Sequence, residues 1–368
     1  ASPTMIRTPP LLYRLHIDAP LLGGVLVMAA LGLVVLYSAA DQSIDVVIKQ
    51  AMRIALGLTC MIAIAQVPPR RLARSAPVLY VIGTLLLVLV LAIGQGRGAT
   101  RWLDFGVIRF QPSEIMKLAV PLTVAGFMAE KVLPPQMRTT IAALVMVLLP
   151  AGLITDQPDL GTAILVATSG LFVLFFGGIS WSFMRNCLLL GIAAAPFGWF
   201  SMHEYQRQRV MTLIDPSQDP LGTGYHIIQA SIAVGSGGVY GKGWLNGTQS
   251  HLEFIPERAT DFIFAVYCEE FGLIGVVILL LAYTLILARG MRIAMEAQEM
   301  FGRLTAASLT MTLFIYVFVN MGMVSGALPV VGVPLPMVSY GGTSFVTILT
   351  SFGILMSIHT HRKFISET

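Results

Sequence analysis

HLEFIPERATDFIFAVYCEEFG, residues 251–272, gathers Glu253, Glu257, Arg258 and Asp261 into one short stretch, then turns apolar from Phe262 to Val266 and onward to Leu287. Ionised groups at hydrocarbon depth are costly unless paired or wetted. In a chain this apolar, the stretch therefore reads as the mouth of a membrane span, with Asp261 at the boundary between water and lipid. The composition agrees: 368 residues, 56% hydrophobic and 11% charged, with a mean hydropathy of +0.79. Soluble domains carry about a quarter charged residues. The expected fold class is all-α, a polytopic membrane protein.

Apolar runs of roughly 17 to 25 residues, the length a bilayer demands of a helix, occur ten times. They cover 20–39, 46–66, 77–94, 113–130, 139–155, 160–178, 184–201, 262–288, 303–325 and 341–359. Several are joined by very short turns, as in an antiparallel bundle. The first run follows Arg7 and Arg14 and is too long for the apolar part of a signal peptide, so it reads as a retained span. Ala1–Thr4, ahead of Met5, reads as an appended lead. The whole of 1–368 is otherwise expected to be one transmembrane domain, with 201–261 as a large external loop.

Orientation follows from Lys and Arg in the short loops. Arg7 and Arg14, Arg70, Arg71 and Arg74, Lys131 and Arg138, Arg185, Arg289, Arg292 and Arg303, and Arg362 and Lys363 alternate to one side. That side is expected to be cytoplasmic, with both termini inside, and it supplies most of the basic residues behind the net charge of +4. The opposite side nevertheless holds Arg97, Arg101, Arg109, Arg207, Arg209, Lys242 and Arg258. Cations placed against the topology signal need a local reason. One is an anionic ligand at the outer face; the other is pairing with Asp104, Glu114, Glu204, Glu253 and Glu257.

Within the external loop, Tyr225–Val234 has helical apolar spacing between glycines and is too short to span, so it should lie at the interface or dip into it. The run GSGGVYGKG at 235–243 invites a phosphate-loop reading, but Lys242 is followed by Gly243 and the Walker pattern fails. No nucleotide-driven machine is indicated. VGVPLPMVSYGG, residues 331–342, is irregular backbone that at membrane depth must line protein or water, which suggests a cavity wall. Cys60, Cys187 and Cys268 have neither paired spacing nor accompanying His, which argues against a disulfide frame and a zinc site.

Gln111-Pro112-Ser113-Glu114 reads as a helix start, with Ser113 as N-cap, Glu114 in the first turn and Lys117 three residues further along one face. These residues are either a cap with an ion pair or part of a cationic pocket walled by Arg101, Trp102 and Arg109. Asp159, after Gln157-Pro158, reads as the N-cap of the sixth span, and Asp261 has the same alternative at the eighth. Glu269 and Glu270 should lie about 12 to 14 Å deeper than Asp261, in a polar channel or paired with a neighbouring cation. His203, His226 and His251 share no metal-ligand spacing.

Several strings in order, RWLDFGVIRFQPSEIMK, QPDLGT, YQRQRV, DPLGTGYHIIQASIAVGSGG, GKGWLNGTQSHLEFIPERATDFIFAVYCEEFG and PVVGVPLPMVSYGGTS, resemble the SEDS family from about Leu15 to Lys363. The resemblance implies a ten-span peptidoglycan glycosyltransferase of the bacterial inner membrane. It would polymerise lipid II at the outer face during cell elongation, alongside a class B penicillin-binding protein and other elongation-machinery proteins, with no nucleic acid. The family's essential outer-mouth Asp falls on Asp261.

An α-linked donor giving a β-linked product needs one inverting displacement, for which a single base suffices. Asp261 is the candidate base, and its partly desolvated site would raise its proton affinity while nearby Arg258 would oppose the rise. Lys117, Arg101 and Arg109, and secondarily Lys49 and Arg209, are expected to steady the departing diphosphate. Glu114, Trp102, Asp159 and Ser339 complete the substrate-binding set. No dedicated metal cage is evident, although a divalent ion (Mg or Mn) bridging Asp261 and diphosphate is compatible with the pattern. Two other readings stay open: a lipid II flippase, and a non-catalytic scaffold that activates the penicillin-binding protein.

Overall fold

The structure is a computed structural model that describes residues 15–93, 101–104, 109–202, 204–218, 222–251 and 257–362. Helices occupy all ten expected positions: α1 (Ala19–Ala39), α2 (Ile44–Ala65), α3 (Pro69–Ile93), α4 (Pro112–Ala129), α5 (Met137–Asp156), α6 (Leu160–Phe176), α7 (Trp181–Ser201), α11 (Ile263–Glu296), α12 (Met300–Val324) and α13 (Thr343–Thr360). Seven are long and apolar enough to cross a membrane; α4, α6 and α7 are not among them. Between α7 and α11 come α8 (Glu204–Ile214), α9 (Thr223–Ser236) and the single turn α10 (Thr248–His251). β1 (Leu103–Asp104) and β2 (Arg109–Phe110) form a minimal antiparallel ribbon before α4 and leave the all-helical class unchanged.

Local chemistry sets several helix starts. The Asp18 carboxylate accepts the Leu21 N–H at 3.0 Å, capping α1, and Asp159 caps α6 through the Thr162 N–H at 3.2 Å, as its sequence suggested. α4 instead begins with Pro112 at its first position, where a missing N–H is harmless. Ser113 therefore lies inside the helix and is not its cap, a correction that follows from Pro112 already having helical geometry.

Two contacts, one at each end of the bundle, fix relative heights. At one end of the bundle Arg289 of α11 binds Asp18 before α1, and at the other the Ser38 hydroxyl of α1 donates to Glu270 of α11. Asp18 to Ser38 and Glu270 to Arg289 are nearly equal helical paths of about 30 Å, one bilayer thickness. Glu270 therefore lies level with the far end of α1. The depth expected for Glu269 and Glu270 is overturned, because α11 breaks at Gly272 (φ 60°, ψ −161°) and its first part, Ile263–Phe271, adds no depth.

The break is filled by the glycine run 237–243. Lys242 and Gly243 donate their N–H groups to the Glu269 and Glu270 carbonyls (3.0 Å each), and Leu273 and Ile274 donate to Gly238 and Val239 (3.0 and 3.1 Å). Backbone groups released by the kink are thus satisfied by protein, as a membrane interior requires. A Cβ at Gly241 would lie 2.1 Å from the Glu270 carbonyl, so only glycine fits there. α9 packs Ile227, Ala230 and Ala233 inward and exposes Ile228 and Ile232. An apolar cleft of about 570 Å³ opens between α9, α11 and α12, lined by Val234, Phe264, Leu273, Leu280, Phe314 and Phe318.

α2 runs beside α13 in the same direction: Gly57 meets Leu349 and Gly353 meets the Met61 backbone. That register starts α13 about two turns along α2, so the 326–342 segment dips below the tips of the bundle, as its prolines and glycines suggested.

Candidate active site

Asp261 lies in the turn that precedes α11. Glu257, at φ 54°, starts it, and the Thr260 and Phe262 N–H groups return to the Glu257 carbonyl at 3.0 and 3.3 Å. Phe262 occupies the cap position of α11 without a side-chain cap, so Asp261 does not cap the helix. Three bonds hold the turn against its neighbours. Tyr340 N–H donates to the Ala259 carbonyl (2.8 Å), the Ser339 hydroxyl to the Thr260 carbonyl (2.7 Å), and the Asn320 amide to the Asp261 carbonyl (2.9 Å).

The carboxylate faces Gly332, where a Cβ would approach Asp261 Oδ2 to 3.4 Å. Burial pushes the Asp261 carboxyl up to about 6, the nearby Glu257 and Asp159 carboxylates add to the rise, and Arg209 and Arg101 oppose it. Arg258, expected to oppose it, instead forms an ion pair with Asp41 at the α1–α2 turn.

Arg101 docks on the α5–α6 turn. Its guanidinium donates to the Gln157 carbonyl at 3.3 Å and to that of Pro158, and lies 3.9 Å from Asp159. Gln111 donates to the same carboxylate at 2.9 Å. Asp159 thus caps α6 and anchors Arg101 within the electrostatic reach of Asp261. Trp102 is half-buried beside it. The Arg109 backbone pairs with Asp104 in the ribbon; its side chain lies outside the described atoms.

Of the two settings the sequence left open for Lys117, the structure shows the ion pair. Lys117 is buried, bonded to Glu114 at 2.7 Å, with its ammonium 5.4 Å from the centre of the Tyr316 ring. It faces a cleft of about 30 Å³ between α4, α12 and α13 that Thr312, Thr347 and Ser351 also line, room for about one water. The single cationic pocket of Lys117, Arg101, Trp102 and Arg109 is therefore divided: Arg101 serves the Asp261 neighbourhood, and Lys117 is committed to Glu114. Lys49 is exposed on α2, whereas Gln50 and Arg53 on the adjoining face reach Ser339, Tyr340 and Gly341. Ser339 is buried, and its hydroxyl accepts from Leu335 N–H while donating to Thr260, so it shapes the turn and is not available to substrate.

Glu269 is fully buried and accepts from Lys242 Nζ at 2.7 Å, Thr248 Oγ1 at 3.0 Å and Gln249 N–H at 3.0 Å. His226 of α9 packs its ring on Phe262, centroids 5.8 Å apart; His203 and the His251 side chain lie outside what is described. The sequence reading passed over Asn320 and gave Gln111 and Lys242 no particular partner. A lone Asn in an apolar span was the available signal for the first. Among the described residues, no three His, Cys, Asp or Glu side chains gather into a metal site.

A bundle of apolar helices with broken backbone turned inward, and a half-buried carboxylate with arginines in its field at one end, defines a multi-pass membrane protein with a polar site at helix-tip level. The chain belongs to the FtsW/RodA/SpoVE family of cell cycle proteins, whose model matches residues 12–364. It is 55% identical over 357 residues to the peptidoglycan glycosyltransferase MrdB of Escherichia coli K12, covering 96% of both chains. It is 36% identical to the probable peptidoglycan glycosyltransferase FtsW of Geobacter metallireducens, covering 86% and 85%. Among solved structures, it is similar to a chain from a peptidoglycan synthase complex studied for coordination of polymerization and crosslinking (TM-score 0.82, 32% identity, 93% and 97% covered). It also resembles the rod shape determining protein RodA of Thermus thermophilus (TM-score 0.71, 29% identity, 94% and 98% covered).

Proposed function

We propose that this chain is a peptidoglycan glycosyltransferase that polymerises lipid II at the outer face of the bacterial cytoplasmic membrane, with its termini inside. The observation that carries the reading is the half-buried Asp261, raised to about 6 and set over Gly332 with Arg101 and Arg209 in its field. A base of that proton affinity is charged at neutral pH yet able to accept a proton.

In the reaction, the acceptor sugar hydroxyl attacks the anomeric carbon of the donor. The new C–O bond forms as the bond to the lipid diphosphate breaks with inversion. The hydroxyl proton passes to the Asp261 carboxylate, and the diphosphate departs with the electron pair. Arg101 and Arg209 steady that charge, and Arg109 and Lys49 are further cations on the same side of the bilayer. Lys117, held by Glu114, supports the site from within α4. Among the described residues no cluster of side chains forms a metal cage; a divalent cation, if used, would be held by Asp261 and would supply further charge neutralisation for the diphosphate. The apolar cleft beside α9 offers a place for a polyprenyl chain. A class B penicillin-binding protein is the expected crosslinking partner.

The deciding experiment is polymerisation of purified lipid II by this protein with its transpeptidase partner. Loss of polymer in Asp261→Asn, with folding and partner binding intact, supports the reading. Unchanged polymer would favour a scaffold, and transbilayer movement of lipid II without polymer would favour a flippase.

A further inference from the structure

The segment Ile263–Phe271 of α11, buried from Ile263 to Glu270, is a short strut with Asp261 just ahead of one end and the Gly272 break at the other. The Asp261 end is pinned by Tyr340, Ser339 and Asn320. The opposite end is pinned by the glycine run and, through side chains, by Lys242 Nζ on Glu269 Oε1 at 2.7 Å, with Thr248 Oγ1 and Gln249 N–H on the same oxygen at 3.0 Å. Glu269 has no solvent exposure, and Lys242 retains 28% of its side-chain exposure. A buried carboxylate that loses its cation is strongly disfavoured, so losing the Lys242 ammonium would loosen the hold of the glycine run, a strap across the break, while its backbone bonds to the strut remain.

We propose that Lys242 and Glu269 are positioning residues for the polymerase reaction: their ion pair locks the glycine strap into the α11 break and so fixes where the strut places the Asp261 carboxylate over Gly332. The inference rests on the reading of Asp261 as the base. Displacements of about 1 Å suffice to lower the rate of a reaction that depends on alignment by about a hundredfold, and a rigid helical strut passes such a displacement from its far end to Asp261. Neither Lys242 nor Glu269 needs to touch substrate. Their loss should lower turnover while leaving recognition of lipid II intact.

The test is steady-state polymerisation of lipid II by the full-length protein with its transpeptidase partner, comparing wild type, Lys242→Met, Lys242→Arg, Thr248→Val and Asp261→Asn. Lys242→Met is expected to lower kcat about tenfold or more with KM within about twofold. Lys242→Arg, which keeps the cation, should recover most of the rate, and Thr248→Val should show a smaller loss. Amide hydrogen exchange in the 257–262 turn should speed up in Lys242→Met while α2 and α13 keep their protection.

Unchanged kcat in Lys242→Met, or a loss confined to KM, overturns the inference. So does a Lys242→Arg variant as slow as Lys242→Met. If Lys242→Met does not fold, Thr248→Val and Lys242→Arg decide: a normal rate in Thr248→Val with a low one in Lys242→Arg also overturns it. An active Asp261→Asn removes the underlying reading, whereas an inactive Asp261→Asn beside a fully active Lys242→Met removes the positioning role alone.

Discussion

Gly332 lies beneath the Asp261 carboxylate: a Cβ added there would stand 3.4 Å from Oδ2, on a backbone held at φ +73°. The position thus combines a left-handed conformation with the space in front of the proposed base. Gly332→Ala should destabilise by roughly 1–2 kcal/mol through backbone strain. It should also crowd Asp261 and slow lipid II polymerisation about tenfold. Initial rates and a thermal unfolding curve in detergent, taken together, separate the two effects.

The rise of Asp261 to about 6 sets the pH behaviour. As a base it must be ionised, so polymerisation should climb through about pH 6 and level off above it. The stability effect has the opposite sense. A carboxyl that holds its proton more tightly when folded favours the folded state below its ordinary value, and that contribution is lost as pH rises through about 6. Asp261→Asn should therefore be more heat-stable than wild type at pH 7.5 and indistinguishable from it near pH 4. The gain is at most about 3 kcal/mol, and less because the group is only half-buried. A flat pH–rate profile from pH 5 to 8 would contradict the assignment.

The buried Glu114–Lys117 pair predicts asymmetric mutational costs. Lys117→Met strands a carboxylate and should lose about 3–5 kcal/mol, whereas Lys117→Met combined with Glu114→Gln should recover much of that loss. Unfolding of Lys117→Met, Glu114→Gln and the double variant side by side checks the non-additivity.

Ser339 tests the support of the Asp261 turn. Removing its hydroxyl in Ser339→Ala leaves the Thr260 carbonyl and the Leu335 N–H without their partner. A loss of about 1–3 kcal/mol is expected, with a fall in kcat and little change in the KM for lipid II, read from substrate titrations.

Ile228 and Ile232 form the exposed face of α9. Charging both, as Ile228→Asp and Ile232→Asp, should impair use of the polyprenyl substrate while leaving binding of the transpeptidase partner unchanged. Normal turnover on lipid II would remove α9 from the lipid path.

Much was legible in the sequence because it is local. Hydrocarbon thickness and apolar run length place ten helices, Asp159 announces its cap two residues after Gln157, and the ordered strings from Arg101 to Ser344 carry the family. Asp261 stands out because charge beside an apolar run is costly. What only the folded chain decided were partners and depth. Arg258 pairs with Asp41 and Lys242 crosses to Glu269, since pairing between distant segments depends on which loops meet, whereas the Glu114–Lys117 pair was already written in their spacing. The depth of Glu269 and Glu270 turned on a single positive φ at Gly272, which an apolar pattern passes over because side-chain periodicity carries no information about the backbone of a residue that has no side chain.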